Sequence, residues 1–539
     1  MKAHTSDMKP RNILLILLIT IALIRLPALQ QLAYGDEYRF INNAMPHNEA
    51  GLIENFEMPP LPTWLNQLFS IFIDDKTTAA RTASYILGLI SILLIYAIAK
   101  KQYNEKTALL AATIFAFSLY ATWAGTAIEL NGANMLFAFL LAIYALVKTE
   151  ENKKWVYLYG IATGIGMLSR YETVLFFPLF FANSLYTTKS WKTTIKRTIL
   201  IGIIAGAIFA IFPILSYATH SNHFYSTIER GANMTLKEAE PFKIIPYLIQ
   251  LSYALLWIAL PFGAIFLLGL KNYENKKFKW YAWIVLVLLF YTFIVKDNYK
   301  PFDRYFTLLM PALLFIGINE LTEINWKKTI TYFIIAIIAI ILLNTTQTQL
   351  PFYPKESYFK TITTLSWNFL IPFNGGSGPI GFLASFSGIA LAFITSAIAL
   401  ILAIKNKTTA ISLILAVSFA LNLFLIQEFT LGMAHGNINE ITKNAINYTK
   451  ETTPKEQEVF YFRNWALKLY LNDTFPKLTN LDFFNDTTTN SNHLTKQFKN
   501  ATIMWIDFPS INKQGALYQT VSQCRAEKTF SNTATIFRC

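Results

Sequence analysis

Acidic side chains in one short part of the chain are candidates for proton transfer. Asp36 and Glu37 follow directly on the first long apolar segment, where that segment is expected to leave the membrane. Carboxylates at that depth are costly unless they face protein or water. Glu57 precedes two consecutive prolines, whose fixed φ angles and missing amide donors predict a rigid, extended turn rather than a helix. Separated acids on an ordered loop indicate a catalytic site at the membrane surface; the alternative is an interfacial cap anchored by Trp64.

The same stretch resembles the first outer loop of a known enzyme family. Gly35-Asp36-Glu37, followed by FEMPPLPTWL over Phe56 to Leu65, is similar to that loop in the polyprenyl-phosphate-sugar-dependent membrane glycosyltransferases of the GT-C fold. These include the aminoarabinose transferases of lipid A and, more distantly, the protein O-mannosyltransferases. The resemblance implies a multi-span membrane protein with an acidic residue of this loop as general base. Met58 stands where the family often has lysine, so a phosphate-binding charge must come from elsewhere.

The composition indicates that the elements that position these residues are membrane helices. The chain has 539 residues, of which 54% are hydrophobic, and its mean hydropathy of +0.37 is far above that of a soluble domain. The net charge of +14 does not indicate nucleic-acid binding, because short basic loops on the cytoplasmic side of a membrane protein account for it.

Apolar runs predict about thirteen transmembrane helices. They lie near 12–29, 80–99, 107–124, 130–147, 155–169, 172–186, 198–217, 244–269, 281–296, 304–319, 329–344, 380–404 and 408–427. Short basic loops follow the even-numbered spans, as at Lys100-Lys101 and Lys327-Lys328. This charge distribution predicts a cytoplasmic N-terminus, with the Asp36 loop and the C-terminal part outside the cell membrane.

The predicted fold is a mainly α, polytopic membrane protein that ends in a small extracytoplasmic α/β domain. Residues 1–427 form the transmembrane glycosyltransferase domain, with 30–79 as its catalytic first outer loop, and 428–539 form the soluble domain. Alternating stretches at 458–462 and 502–506 are typical of short buried strands in that domain. Cys524 and Cys539 are expected to pair in an oxidising compartment and otherwise to be two ordinary thiols.

A second predicted outer turn carries a single acid, Glu129. An isolated acid there either lines a polar cavity or marks the turn. The resemblance implies an acidic residue in this turn, and the alignment falls on Glu129, Asn131 or Asn134.

Arg170 and Glu172 lie between two apolar stretches with almost no loop, and therefore at about membrane depth. They form either an ion pair or an anion site. The resemblance favours the anion site, because the family carries a cation here close to the lipid phosphate.

Another predicted outer loop contains His220, His223 and Arg230. Its histidines are either surface residues or, with Glu57, ligands of a divalent cation that bridges to a phosphate, since imidazole and carboxylate suit such metals. Arg230 is expected to contact the phosphate directly.

The segment from Lys300 to Phe306 resembles an Arg-Tyr sequence at the same place in the family's order of spans. Arg304 offers phosphate a planar, bidentate contact that lysine cannot make. We expect Lys300, Arg304 and Tyr305 to bind the donor phosphate, together with Arg170 and Arg230.

The predicted reaction is transfer of a sugar from a polyprenyl (dolichyl or undecaprenyl) phosphate to a lipid, glycan or protein acceptor. The phosphate leaves as a stable anion that arginines or a cation stabilise, and Asp36 removes the acceptor proton. Glu37 or Glu129 positions the acceptor. One-step displacement inverts the anomeric centre, and no nucleotide cofactor is required. The alternative is a lipid-linked sugar flippase or transporter, which predicts charged, broken helices near the bilayer midplane.

Overall fold

The computed structural model describes residues 9–33, 37–42, 59–128, 132–220, 262–291, 307–322, 324–345, 370–373, 381–384, 386–430, 434–462, 466–481, 498–506, 515–530 and 534–539. These residues are mostly helical. Backbone contacts divide the chain into two compact units. The first unit comprises 1–29, 43–342 and 389–426, and the second comprises 30–42, 343–388 and 427–539.

Helices account for nearly all of the described residues of the first unit. The longer ones are Pro10–Arg25, Leu61–Ser70, Lys76–Gln102, Glu105–Ala116, Ala133–Thr149, Trp155–Ser169, Phe176–Thr188, Trp191–His220, Phe278–Leu289, Leu309–Gly317, Trp326–Thr345, Phe386–Lys405 and Lys407–Thr430. Shorter helical elements are Leu119–Ala124 and the 3-10 turns Leu26–Gln30, Tyr171–Leu175, Asn275–Lys277 and Ile318–Thr322.

Several of these helices have the length and apolar character of membrane spans. In the described part of the chain, the helices at Pro10–Gln30, Lys76–Gln102, Trp191–Leu215 and Lys407–Gln427 are long and apolar enough to cross a bilayer. Shorter apolar helices include Ala133–Thr149 and Trp155–Ser169. The protein is therefore an integral membrane protein, while the count of about thirteen spans stays a prediction.

The span predicted at 107–124 is divided in the structure. One helix ends at Ala116, and Ser118 begins the next, because its side chain accepts a hydrogen bond from the amide of Ala121. A serine in this position satisfies amides at the start of a helix. Hydropathy alone cannot reveal such a break, since every neighbouring residue is apolar or small.

Two glycines let neighbouring helices of the first unit approach closely. Gly160 and Gly164 lie on helix Trp155–Ser169, facing Ile204 and Ile208 of helix Trp191–His220. A Cβ at Gly164 would come within 2.8 Å of the Cβ of Ile208. Small residues four positions apart are a common means of helix association in membranes.

The second unit contains a mixed five-stranded sheet. Its strands are β3 (Val459–Tyr461), β4 (Leu478–Asn480), β5 (Thr502–Ile506), β6 (Arg525–Phe530) and β7 (Ala534–Arg538), in the spatial order β4-β3-β5-β7-β6. Strand β3 pairs in parallel with β4 and β5, whereas β7 pairs antiparallel with β5 and β6. The strands predicted at 458–462 and 502–506 are confirmed as β3 and β5.

Aromatic side chains and one disulfide hold the sheet together. Phe462 stacks on Trp505 with ring centroids 4.2 Å apart, in a core that includes Ile503. Cys524 and Cys539 form a disulfide, with Cα atoms 4.6 Å apart, so the predicted pairing is confirmed. Helices Ala434–Thr452, Leu467–Leu471 and Ala516–Val521 complete this part of the unit.

The second unit also takes in segments from elsewhere in the sequence. One is helix Glu37–Asn42, and another is the antiparallel hairpin of β1 (Leu370–Phe373) and β2 (Gly381–Ala384). The division at 427/428 stays a prediction; the structure adds these earlier segments to the C-terminal part. Hydropathy could not group them, because long-range contacts leave no local pattern.

Candidate active site

The segment that leads into Asp36 and Glu37 is held by side chains and backbone of the C-terminal part of the second unit. Lys443 Nζ donates to the carbonyl of Gln30 (2.7 Å), and Gln31 Nε2 donates to the carbonyl of Thr430 (2.8 Å). The amide of Leu32 donates to Asn439 Oδ1 (2.9 Å), and that of Ala33 donates to Tyr470 Oη (2.7 Å). Each of four consecutive residues therefore has a partner more than 390 positions away.

Glu37 is the only one of the three predicted catalytic acids among the residues that the structure describes. It begins helix Glu37–Asn42, and its side chain is fully buried. Phe40 and Ile41 of the same helix are also buried. The role of Glu37 in positioning the acceptor stays a prediction. Asp36 lies outside the described residues.

The proline pair is followed at once by a helix, within the region that the sequence analysis placed in an outer loop. Helix Leu61–Ser70 begins after Pro60, whose φ of −82° and ψ of −18° are helical. A proline at 62 is tolerated because amides of the first turn need no partner within the helix. The predicted loop 30–79 thus contains a rigid helical element.

This helix packs against Leu168, near the end of helix Trp155–Ser169. Trp64 contacts the ring edge of Phe212, with centroids 6.3 Å apart, in a cluster with Leu61 and the buried Leu168. Leu168 precedes Arg170 by two positions. The structure therefore brings the start of the helix after the proline pair to the end of helix Trp155–Ser169, which Arg170 follows in sequence. Trp64 is a half-buried packing residue here, which differs from an exposed interfacial anchor.

Arg170 forms an ion pair with Glu172, and both side chains are largely buried, with 13% and 16% exposed. Arg170 ends helix Trp155–Ser169 in an extended conformation, and its amide donates to Gly166 O (2.7 Å). The carbonyl of Arg170 accepts from Thr173 Oγ1 (2.7 Å). The backbone at Arg170 is thus held by hydrogen bonds, and its guanidinium is paired with a carboxylate in a largely buried position.

The second predicted outer turn is held by a buried arginine. Arg81 Nη1 donates to the carbonyl of Thr126 (2.9 Å), shortly before Glu129. Asn134, an alternative to Glu129, is buried with 4% exposed, and among the described residues nothing donates to its Oδ1. Glu129 and Asn131 lie outside the described residues.

Most of the remaining predicted site residues also lie outside the described part of the chain. These are Glu57, His223, Arg230, Lys300, Arg304 and Tyr305. His220 is the last residue of helix Trp191–His220, and its side chain is not described. Among the described residues there is no group of three or more metal-ligating side chains. The proposed cation ligands therefore stay a prediction.

Two further arginines, Arg25 and Arg81, are fully buried, although the sequence patterns did not single them out. Arg25 Nη2 donates to the carbonyl of Ala116 (2.9 Å), at the end of helix Glu105–Ala116. Its guanidinium lies against Gly88 and Gly125, where a Cβ at Gly125 would come within 2.9 Å of Nη1. The carbonyl end of a helix stabilises a cation. The available signal for Arg25 in the sequence was a lone arginine at the end of an apolar run.

Comparison with known proteins supports the resemblance stated from the first loop. The family described as dolichyl-phosphate-mannose-protein mannosyltransferase matches residues 57–217. The undecaprenyl phosphate-alpha-4-amino-4-deoxy-L-arabinose arabinosyl transferase of Pectobacterium atrosepticum is 26% identical over 258 residues. That match covers 44% of this chain and 45% of the relative, so it spans less than half of the relative's length.

Solved structures share the fold along almost the entire chain. The crystal structure of ArnT from Cupriavidus metallidurans in the apo state has a TM-score of 0.60 at 13% identity, and 97% of each chain is covered. The structure of that protein bound to undecaprenyl phosphate gives 0.59 at 14% identity. The resemblance to the polyprenyl-phosphate-sugar-dependent membrane glycosyltransferases is thereby confirmed, as is a mainly α fold with a small C-terminal sheet.

Proposed function

We propose that this protein is a glycosyltransferase that moves a sugar from a polyprenyl phosphate to a lipid, glycan or protein acceptor at the outer face of the cell membrane. The observation that carries the proposal is the shared fold with ArnT over 97% of the chain, joined to the family match at 57–217. A solved structure of ArnT is bound to undecaprenyl phosphate, which supports the same class of donor here.

The proposed chemistry needs stabilisation of the leaving phosphate and a base for the acceptor. Arg170, Arg230, Lys300, Arg304 and Tyr305 bind the phosphate, and the charge-assisted contacts of arginine suit an anion that develops in the transition state. Asp36 takes the proton of the acceptor hydroxyl as the new glycosidic bond forms. Direct displacement then inverts the anomeric centre.

The burial of the Arg170–Glu172 pair supports the phosphate role of Arg170. A salt bridge shielded from water attracts another anion strongly once its own carboxylate moves aside. Glu172 keeps the guanidinium from being an unpaired buried charge when no donor is bound. Phosphate must displace this carboxylate to reach the guanidinium, so the carboxylate stabilises the empty site and competes with the phosphate.

The proposed orientation places the N-terminus in the cytoplasm and the C-terminal domain outside. The disulfide between Cys524 and Cys539 supports this, because such bonds persist in oxidising compartments. A divalent cation held by Glu57, His220 and His223 would supply additional charge stabilisation for the phosphate when bound. The phosphate contacts of the residues named above, and proton removal by Asp36, do not depend on this cation.

The direct test uses the purified protein in detergent with a polyprenyl-phosphate sugar and a mixture of membrane lipids and glycans. Consumption of the donor, with release of polyprenyl phosphate, is the expected result. A flippase would leave the donor intact in detergent and move it only across a sealed bilayer. Mass spectrometry of surface glycans from a deletion strain identifies the sugar and the acceptor.

A further inference from the structure

The C-terminal part of the second unit makes a continuous set of hydrogen bonds to the segment before the proposed base. Gln31, Leu32 and Ala33 have no regular secondary structure, so their backbone amides need partners outside the segment. The partners of the Leu32 and Ala33 amides are Asn439 and Tyr470. All three segment residues are buried, with 3%, 7% and 0% exposed. These contacts are therefore interior ones rather than loose surface pairings.

The partners lie on regular helices. Asn439 and Lys443 are four positions apart on helix Ala434–Thr452, so they project from the same face. Tyr470 belongs to helix Leu467–Leu471, in the same compact unit. Groups on packed helices hold their position better than groups on loops.

The anchored segment continues directly into the acids. Four positions after Ala33, Glu37 begins a helix that is buried at Glu37, Phe40 and Ile41. Hydrogen bonds fix the chain before the acids, and side-chain packing fixes it after them. An error of about 1 Å in the position of a reacting group can lower a rate by about a hundredfold.

We propose that the C-terminal domain is a positioning element for the segment that carries Asp36 and Glu37, acting through Asn439, Lys443 and Tyr470. This inference rests on the function proposed above. The C-terminal domain then acts in the turnover step and has no role in donor binding.

The first test removes the side-chain acceptors of the two backbone amides, one at a time. Tyr470→Phe deletes only the hydroxyl that accepts from Ala33, and Asn439→Leu removes the acceptor for Leu32. Each is expected to lower kcat about ten- to a hundredfold, with the KM for the donor unchanged within about twofold. Asn439→Asp retains an acceptor oxygen and is expected to recover most of kcat.

Matched controls come from the same unit. Tyr448→Phe also removes one hydroxyl, from a ring that packs on Phe530 with centroids 6.0 Å apart. Lys443→Met removes the donor to Gln30, whereas Lys450→Met changes an exposed lysine on the same helix. The two control variants, Tyr448→Phe and Lys450→Met, should keep the parent kcat and thermal midpoint.

The second test does not depend on activity. Hydrogen exchange measured by mass spectrometry on the peptide spanning 30–42 should be faster in Tyr470→Phe and Asn439→Leu, while exchange in β3 and β5 stays at the parent level. Unchanged exchange at 30–42 would overturn the inference, because the contacts would then not hold the segment. Faster exchange with parent kcat would overturn it too, since the segment's position would not matter for turnover.

The outcomes also separate this inference from the proposed function. If the parent protein transfers no sugar from any polyprenyl phosphate, the proposed function fails, whatever the exchange shows, and the positioning role falls with it. If the parent transfers sugar and Tyr470→Phe and Asn439→Leu do so equally fast, only the positioning role fails. An equal loss in Tyr448→Phe would assign the effect to general destabilisation and overturn the inference.

Discussion

Replacing Glu172 by Gln is expected to tighten the binding of undecaprenyl phosphate, whereas replacing Arg170 by Ala is expected to weaken it. The opposite signs follow from the ion pair, in which the carboxylate occupies the guanidinium that the phosphate needs. If the ion pair were purely structural, the two substitutions would not change the affinity in opposite directions, because each of them would remove the same contact.

The magnitudes follow from the burial of the pair. With 13% and 16% of the two side chains exposed, a hydrogen bond between Arg170 and phosphate contributes about 1.5–3 kcal/mol. Loss of this hydrogen bond raises Kd by about ten- to a hundredfold. The neutral amide introduced by Glu172→Gln competes less well than a carboxylate by roughly 1 kcal/mol, so this variant should bind about fivefold more tightly.

The assay is a titration of the detergent-solubilised protein with undecaprenyl phosphate, alongside a thermal melt of each variant. Glu151→Gln is the matched control, because Glu151 forms ion pairs with Lys148 and Lys101 in a different part of the first unit. It should leave Kd unchanged. Arg170→Lys should recover only part of the affinity lost in Arg170→Ala, because lysine keeps the positive charge but lacks the planar guanidinium. A lowered melting temperature with unchanged Kd in both Arg170→Ala and Glu172→Gln would refute the phosphate role.

Other predictions address the base, the cation and the helix packing. Asp36→Asn should lower the rate of sugar transfer by about a hundred- to ten-thousandfold without changing the thermal melt; a rate within a few-fold of the parent would make Glu129 the next residue to test. If Glu57, His220 and His223 bind a divalent cation, chelation by EDTA should slow sugar transfer and added cation should restore the rate; full activity in EDTA would remove the cation from the mechanism. Gly164→Ala should destabilise the protein by about 1–3 kcal/mol through overpacking, since its Cβ would lie 2.8 Å from that of Ile208. Gly206→Ala, where a Cβ meets nothing within 4 Å, is the control, and equal melts for the two variants would contradict the packing argument.

Local patterns in the sequence predicted the features that depend on local physics. Short alternating stretches predicted the strands β3 and β5, because alternation of side chains is the local pattern of a strand. The pairing of Cys524 with Cys539 followed from the predicted compartment and is present in the structure. The resemblance of the short first-loop motif to one family implied the shared fold.

Features that depend on contacts between distant residues could not be read from those patterns. The bonds from Asn439 and Tyr470 to the segment after the first helix join residues more than 400 positions apart. Arg25 was overlooked because its partners are a backbone carbonyl and two glycines, which carry no charge to match. The helix at Leu61–Ser70 was hidden by its prolines, which are compatible with a first helical turn as well as with a loop.

The long separation between the anchored segment and its partners has a consequence for the order of events during synthesis. Gln31 and Ala33 are 399 and 437 positions away from Thr430 and Tyr470. At about 5–20 residues per second, roughly 20 to 90 seconds pass before the ribosome has made those partners. The segment before Asp36 is thus made well before the residues that hold it in place. A nascent or prematurely terminated chain, already inserted in the membrane, would stay catalytically silent until the C-terminal helices arrive.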